Sequence, residues 1–202
     1  MRVSFGRVEA EWVARARAGD GEAFARLVET FQVPVYNLCF RMLGEAGDAE
    51  DAAQETFLRA YRSLARYDPD RPFPTWLLSI ASHHCIDVLR RRRFLPVSAE
   101  SLLPGQERAD PSPAPEEALA IQERRDRLSD LTRSLGAQER AAITLHYWYD
   151  LSYEEIAEVL STSVSAVKSR MHRARRVLAE RWQEGEGRPV LAQGRHNEPS
   201  AV

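Results

Sequence analysis

Hydrophobic residues recur at every third or fourth position along most of the 202-residue chain, and no stretch alternates strictly between apolar and polar residues. This spacing is typical of amphipathic helices. It stops between residues 96 and 118, where five of the eleven prolines stand with five acids and one base, a composition that predicts a flexible acidic linker. We therefore predict an all-α fold with two small helical domains, residues 1–95 and 119–183, and a disordered tail over 184–202.

The first half contains four predicted helices. Apolar spacing indicates helices over residues 12–18 and 22–43, the second bent or broken at Pro34 because proline cannot donate a backbone hydrogen bond. A third helix is predicted from Asp48, and a fourth from Thr75, which would cap its start. Together these helices supply enough apolar residues for one packed core.

Residues 151–182 predict a helix-turn-helix. Ser152 and Glu155 have the spacing of a capping box, which starts a short helix. Three polar residues at 161–163 interrupt the apolar pattern and predict a turn. From Val164 the pattern resumes for about five helical turns, so the second helix is predicted to be long.

The second helix of this pair carries one-sided charge. Six Lys or Arg residues stand against one acid over residues 161–183, in a chain whose net charge is only -2. Such a face favours a polyanion, and the start of a second helix reaches base edges in the DNA major groove. The alternative is a solvated basic face on an antiparallel helix pair. The candidate base-reading residues are Lys168, Ser169, His172 and Arg173, and the candidate phosphate contacts are Arg175 and Arg176.

The helix predicted from Asp48 is rich in acids. Asp48, Glu50, Asp51 and Glu55 fall within eight residues. Acids in a first turn stabilise a helix through its dipole, which is their structural role. Four of them exceed what that role needs, so we predict a docking surface for a basic partner.

An aromatic residue and a histidine share one face of the fourth predicted helix. Trp76, His83 and Arg90 lie opposite the apolar stripe, and Arg91 continues the arginine run. Aromatic rings stack on unpaired bases and arginines hold phosphates, so this mixture favours single-stranded nucleic acid. Alternatively, Trp76 packs under the preceding loop and the arginines form a solvated helix end. The pattern does not choose between the two.

No apolar run has the length of a signal peptide or of a membrane span, which needs about 18 residues. We therefore expect a cytoplasmic protein without direct membrane insertion. Cys39 and Cys85 lie in separate apolar segments and are interpreted as small buried side chains. The spacing of His83, His84 and Cys85 matches no zinc-ligand pattern, and no catalytic set of side chains converges. We expect no metal, no cofactor and no enzyme activity.

Three stretches carry a family likeness in this order: AEDAAQETFLRAYRSL, FPTWLLSIASHHCIDVLRRRR and, after the linker, LGAQERAAITLHYWYDLSYEEIAEVLSTSVSAVKSRMHRARRVL. They resemble the extracytoplasmic-function (ECF) sigma factors of bacterial RNA polymerase over about residues 22–182. The resemblance implies a factor that binds core RNA polymerase and promoter DNA, melts the minus-ten element with its first domain and reads the minus-thirty-five element with its second. It also implies an anti-sigma protein as a partner.

The resemblance assigns roles residue by residue. Asp51, Gln54 and Glu55 match the family's contact with the clamp helices of the largest core subunit. Residues 76–93 match the promoter-melting and minus-ten segment, and the four base-reading candidates match the minus-thirty-five readers. The acidic linker resembles the family segment that threads the RNA exit channel.

Four positions depart from the family's pattern. His83 stands where asparagine is usual, which affects the contact to a flipped minus-ten base. Gly136 replaces a common proline at a helix start, and Ser161 and Ser165 replace common glycines around the turn. We expect these last changes to alter turn stability more than function, because serine is a good helix cap.

The predicted function is that of a sigma factor, and a stand-alone helix-turn-helix transcription regulator is the alternative. The regulator would need only its DNA-binding domain, which would leave the acidic helix and the Trp76 face without a role. A hydrolase or metal enzyme is a more distant third possibility.

Overall fold

The computed structural model describes residues 7–94 and 131–186, with side chains placed for 10–93 and 131–182. Every regular element in these ranges is helical, as the sequence predicts. The first half contains α1 (Arg7–Arg17), α2 (Gly21–Leu43), α3 (Ala46–Ser63), a 3₁₀ turn (Leu64–Arg66) and α4 (Phe73–Phe94). The second half contains α5 (Ala137–Tyr149), α6 (Tyr153–Val159) and α7 (Val164–Glu186).

Two predicted segments fall largely outside the described residues. The linker predicted over 96–118 lies wholly outside them, and so does the chain from residue 187 onward. α7 runs to Glu186, so this helix continues three residues past the domain boundary predicted at 183.

The sequence predicts that α2 is bent or broken at Pro34, and the structure shows that it is not broken there. Asp20 caps its start by accepting two backbone N–H bonds at 2.9 and 3.1 Å, and Gly44 ends it with a left-handed φ of 79°. Phe31 and Val35 are buried on either side of the proline. Their packing holds the helix together and outweighs the lost backbone hydrogen bond.

The next two helices begin earlier than predicted. α3 begins two residues before Asp48 and has Glu45 as its N-cap. The Glu45 carboxylate accepts backbone N–H bonds from the first turn, which lowers its pKa. α4 begins at Phe73 rather than Thr75. Pro74 is tolerated there because a first-turn residue needs no backbone N–H.

α4 lies at the centre of the molecule. It packs against α2 and α3 of the first half and against α5 and α6 of the second. Ser79, which shares the face of α4 with Trp76 and His83, is only 7% exposed. The two predicted domains therefore pack directly against each other.

Hydrogen bonds join the two halves at the end of α2. Arg140 of α5 is buried, and its guanidinium donates to the carbonyls of Met42 and Arg133 at 2.7 Å each. Arg133 donates in turn to the Gly44 carbonyl at 2.7 Å. Carbonyls at a helix C-terminus lack partners within the helix and carry partial negative charge, so arginines satisfy them well. A Cβ on Gly44 would lie 2.9 Å from the Arg133 Nε, so glycine also permits this approach.

Aromatic residues of α5 extend the contact between the halves. The Tyr149 hydroxyl donates to the Pro34 carbonyl at 2.5 Å. The Arg41 guanidinium lies 4.7 Å from the centroid of the Trp148 ring, within the range of a cation–π interaction. The interface thus combines buried hydrogen bonds with aromatic packing.

The helix-turn-helix prediction is confirmed in its details. Glu155 donates its backbone N–H to Ser152 Oγ at 3.1 Å, and Ser152 donates its own N–H to the Glu155 carboxylate at 2.8 Å. This is the predicted capping box. After the turn, Ser163 Oγ accepts the N–H of Ala166 at 3.2 Å and caps α7.

Ser161 has a different role from the capping one expected of it. The N–H groups of Ser161 and Thr162 donate to the carbonyls of Glu158 and Ala157 at 3.3 and 2.9 Å, which closes α6 in a Schellman motif. Ser161 takes the left-handed position of this motif, with φ 49°. That conformation favours glycine, since a Cβ crowds the following carbonyl.

Replacing Ser161 with glycine should raise the free energy of unfolding by about 0.5–1 kcal/mol. The substitution relieves a left-handed penalty of about 1–2 kcal/mol, offset in part by glycine's greater freedom in the unfolded chain. Ser161→Ala keeps the Cβ and should give no such gain. Urea denaturation followed by circular dichroism measures both variants, and equal stabilities would contradict the strain at Ser161.

Candidate nucleic-acid and partner-binding surfaces

α7 buries one side against α5 and α6 and exposes the other. Val167, Met171 and Ala174 face inward and are at most 1% exposed. The structure brings all four base-reading candidates and both phosphate candidates onto the exposed side of this helix. These solvent-facing residues are Lys168, Ser169, His172, Arg173, Arg175 and Arg176.

The two phosphate candidates differ in their surroundings. Arg175 donates to the hydroxyls of Tyr147 and Tyr153 at 3.2 Å each, and the bond to Tyr147 is the main cause of its raised pKa. Arg176 instead makes an exposed ion pair with Glu180 at 3.6 Å. Such surface pairs contribute little, so Arg176 is easily released to another anion.

Arg173 is held by an acid from another helix. Its Nε and Nη2 atoms both donate to Oε1 of Glu139 in α5, at 3.1 and 2.9 Å. The Arg173 side chain is 52% exposed, whereas that of Glu139 is only 22% exposed. Sequence spacing gave no signal for this pair, because the two residues are 34 positions apart.

The three predicted docking residues share one surface of α3. Asp51 and Gln54 are exposed, and Glu55 is half-buried beside them. Arg59 donates to the Glu55 carboxylate at 2.7 Å and thereby lowers the pKa of Glu55. Asp48 stands apart from this set, because it pairs with an arginine near the end of α4.

Grooves run on either side of these residues. A polar groove of about 440 Å³ between α3 and α4 is lined in part by Asp51, Glu55 and His84. An apolar groove of about 510 Å³ is lined by Phe24, Val28, Gln54, Phe57, Leu58 and Tyr61. Leu58 and Tyr61 are 51% and 55% exposed, which is unusual for neighbouring large apolar side chains. Leu58 and Tyr61 were not predicted as part of the docking surface, although they continue the spacing of three and four residues that begins at Asp51.

Trp76 is only partly available to a ligand. Its ring is half-buried and lies 4.9 Å from the Tyr67 ring and 5.6 Å from the Phe73 ring, measured between centroids. Tyr67 belongs to the loop before α4. Part of the Trp76 ring therefore packs under that loop, as the structural alternative expects.

His83 is half-buried, with Nδ1 2.8 Å from the Ser79 carbonyl. Because a carbonyl only accepts hydrogen bonds, Nδ1 carries the proton, and Nε2 of the neutral ring is an acceptor. Arg90 and Arg91 are exposed near the end of α4. Both arginines are thus accessible to a ligand, although Arg91 donates to the Asp87 carbonyl at 3.3 Å, whereas Trp76 and His83 are half-buried.

The two cysteines are free thiols buried in α2 and α4, in agreement with their interpretation as small core side chains. A hydrogen bond with Cys39, together with burial, raises the pKa of the Cys85 thiol. Within the described ranges, no three His, Cys, Asp or Glu side chains are placed to hold a metal ion. Each helix in those ranges is too short or too polar to cross a membrane.

Comparison with known proteins gives matches in both halves. The Sigma-70 region 2 family matches residues 27–94, and the Sigma-70 region 4 family matches residues 125–178. The chain is 34% identical over 178 residues to the ECF RNA polymerase sigma factor SigW of Bacillus subtilis, which covers 85% of this chain and 95% of SigW. It is also 34% identical over 172 residues to the RNA polymerase sigma-H factor of Pseudomonas aeruginosa, covering 82% of this chain and 89% of that protein.

Solved structures show the same fold. CnrH in complex with the cytosolic domain of CnrY is similar with a TM-score of 0.65 and 27% identity, covering 88% of this chain and 99% of CnrH. The sigma factor RpoE of Bartonella quintana, solved with the anti-sigma factor NepR, has a TM-score of 0.59 and 22% identity, covering 79% of this chain and 96% of RpoE. At that identity, the second likeness supports the fold alone.

Proposed function

Because the chain belongs to the ECF family of RNA polymerase sigma factors and so serves promoter-specific initiation of transcription, we propose that its two halves bind different partners. One observation carries this proposal. The molecule exposes two surfaces of opposite character, an acidic and apolar one on α3 and a basic one on α7. Both are accessible while the halves are packed together.

The first surface is assigned to core RNA polymerase. We define the α3 surface as Asp51, Gln54, Glu55, Leu58 and Tyr61. Its carboxylates suit basic side chains on the largest core subunit, and its exposed leucine and tyrosine add apolar contact area. Protein interfaces commonly combine an apolar centre with a polar rim. The ion pair between Glu55 and Arg59 is partly exposed, so exchanging Arg59 for a partner's arginine costs little.

The melted minus-ten strand is assigned to α4, at Trp76, His83, Arg90 and Arg91. The exposed arginines can hold phosphates, and the free part of the Trp76 ring can stack on a base. With Nδ1 bonded to the Ser79 carbonyl, the uncharged form of His83 offers Nε2 as an acceptor, which suits a base that presents an amino group. An asparagine would offer both a donor and an acceptor, so His83 narrows the hydrogen bonding available at this position.

The minus-thirty-five element is assigned to the exposed side of α7. Arg173 suits guanine, whose O6 and N7 atoms accept two hydrogen bonds from one guanidinium. Ser169 is neutral and can pair with more than one base. The base readers are Lys168, Ser169, His172 and Arg173, and the phosphate contacts are Arg176 and, at the edge of this side, Arg175.

The two halves must separate to bind a promoter in this way. The minus-ten and minus-thirty-five elements lie about 25 base pairs apart, or about 85 Å of B-form DNA. Halves joined by the Arg140 and Tyr149 hydrogen bonds cannot reach both elements at once. A flexible linker, as the sequence predicts for residues 96–118, would permit the separation.

The remaining parts of the proposal concern partners and location. CnrH, which is 27% identical to this chain, was solved with the cytosolic domain of CnrY. We propose an anti-sigma protein as a partner of this chain too. We also propose that the chain acts in the cytoplasm without direct membrane insertion, and that it has no catalytic activity of its own.

A stand-alone helix-turn-helix regulator is the second candidate, favoured by the exposed basic side of α7 alone. Gel filtration with core RNA polymerase separates the two functions. We expect the full chain to co-elute with core polymerase and to join promoter DNA only as part of that complex. A chain that co-elutes with promoter DNA but not with core polymerase would be the regulator.

A further inference from the structure

Two hydrogen bonds hold the guanidinium of Arg173 in the free protein. Glu139 Oε1 accepts hydrogen bonds from Nε and Nη2, so one edge of the guanidinium is occupied and its plane is set. The Nη1 atom on the opposite side points away from this contact. Burial lowers the pKa of the neighbouring Arg170, and the charge of Glu139 offsets part of that lowering.

We propose that Glu139 is a positioning residue for base recognition, which it performs through Arg173. The proposal rests on the proposed role of α7 at the minus-thirty-five element. A long arginine side chain loses rotational freedom when it binds a base, and one that is already held loses less. A guanidinium whose plane is held in one orientation can also form hydrogen bonds with fewer of the incorrect bases. Glu139 therefore sharpens the discrimination at the base pair that Arg173 reads.

The charge of Glu139 has the opposite effect on overall affinity. A carboxylate near the DNA surface repels phosphates whatever the base sequence. Neutralising it should strengthen binding to every duplex while it weakens discrimination at one position. A residue that merely supported the fold would not separate these two quantities, because its loss would weaken both.

Gly136 leaves room for the carboxylate. A Cβ on Gly136 would lie 2.4 Å from Glu139 Oε2, far inside van der Waals contact. The backbone itself does not require glycine, since its φ of -62° and ψ of 154° suit any residue. Gly136→Ala should therefore push the carboxylate away from Arg173 without straining the chain.

Binding of the holoenzyme to a promoter duplex mapped by run-off transcription, and to its single-base-pair variants across the minus-thirty-five element, tests the proposal. Glu139→Gln should lower discrimination about threefold to tenfold at one position, within the range of coupling between contacting residues. Arg173→Ala should lower discrimination at that same base pair. In the double variant, Glu139→Gln should cause no loss of discrimination beyond that caused by Arg173→Ala. Gly136→Ala should cause the same loss of discrimination when it is introduced into the wild-type chain. It should cause no further loss when it is introduced into the Glu139→Ala variant.

Glu154→Gln is the matched control, since it removes an exposed acid from α6 in the same half. It should raise affinity and leave discrimination unchanged. If Glu139→Gln weakens binding to all duplexes equally, or preserves discrimination where Arg173→Ala abolishes it, the positioning role is wrong and the role of Arg173 stands. If Arg173→Ala changes discrimination nowhere, both roles are wrong.

Discussion

Exchanging Asp51 and Glu55 for lysine should lower the affinity for core RNA polymerase by at least about 100-fold. The two substitutions replace acids that face a basic partner with lysines that repel it. Contacts between like charges in an interface cost several kcal/mol. The fold should survive, because exposed substitutions typically change stability by about ±0.5 kcal/mol. Glu55→Lys also places two basic side chains one helical turn apart, which adds a similarly small cost. Competition against labelled wild-type chain for core polymerase measures the affinity.

Glu11→Lys together with Glu29→Lys is the matched control. These acids are exposed on α1 and α2, and Glu29 pairs with Arg26 at 3.0 Å much as Glu55 pairs with Arg59. The control therefore makes the same change in charge and breaks a similar ion pair away from the α3 surface. It should compete as the wild type does. If the two double variants compete equally well, core polymerase does not dock on the α3 surface.

Replacing Arg140 with alanine should lower the free energy of unfolding by about 2–4 kcal/mol. Burial lowers the pKa of Arg140 to about 10, so the guanidinium is still charged at neutral pH. A hydrogen bond to a charged group contributes about 1.5–3 kcal/mol, and alanine would leave the Met42 carbonyl unpaired beside a cavity. Removing the cost of burying a charge offsets part of this loss.

Arg133→Ala provides the comparison for Arg140. Arg133 donates to the adjacent Gly44 carbonyl over the same 2.7 Å, but its side chain is exposed, so water can replace it. We expect it to cost less than about 1 kcal/mol. Chemical denaturation measures both variants, and equal losses would mean that burial at Arg140 adds nothing to the interface between the halves.

Features that depend on neighbouring residues could be predicted from the sequence. The capping box of Ser152 and Glu155 requires only a spacing of three. The exposure of Asp51 and Gln54 follows from the helical period, which places them off the buried stripe of α3. The long basic helix and its exposed arginines follow from the same period.

Features that depend on distant residues could not be predicted. Arg140 is buried, although arginine is rarely buried, and the carbonyl that it binds in Met42 is 98 positions away, so no local pattern could predict its burial. Pro34 stays within a helix because the core around it is well packed. The contact between Glu139 and Arg173 forms only because two helices pack together. The spacing of residues within either helix does not predict it.

Run-off transcription with core RNA polymerase on genomic fragments, followed by mapping of the RNA 5′ ends, tests most directly whether this chain directs promoter-specific initiation. We expect the wild-type chain to produce discrete start sites preceded by shared minus-ten and minus-thirty-five motifs, which core polymerase alone does not use. The variant with lysine at positions 51 and 55 should lose these start sites, and the control with lysine at positions 11 and 29 should keep them. Transcripts that are identical with and without the wild-type chain would contradict its function as a sigma factor.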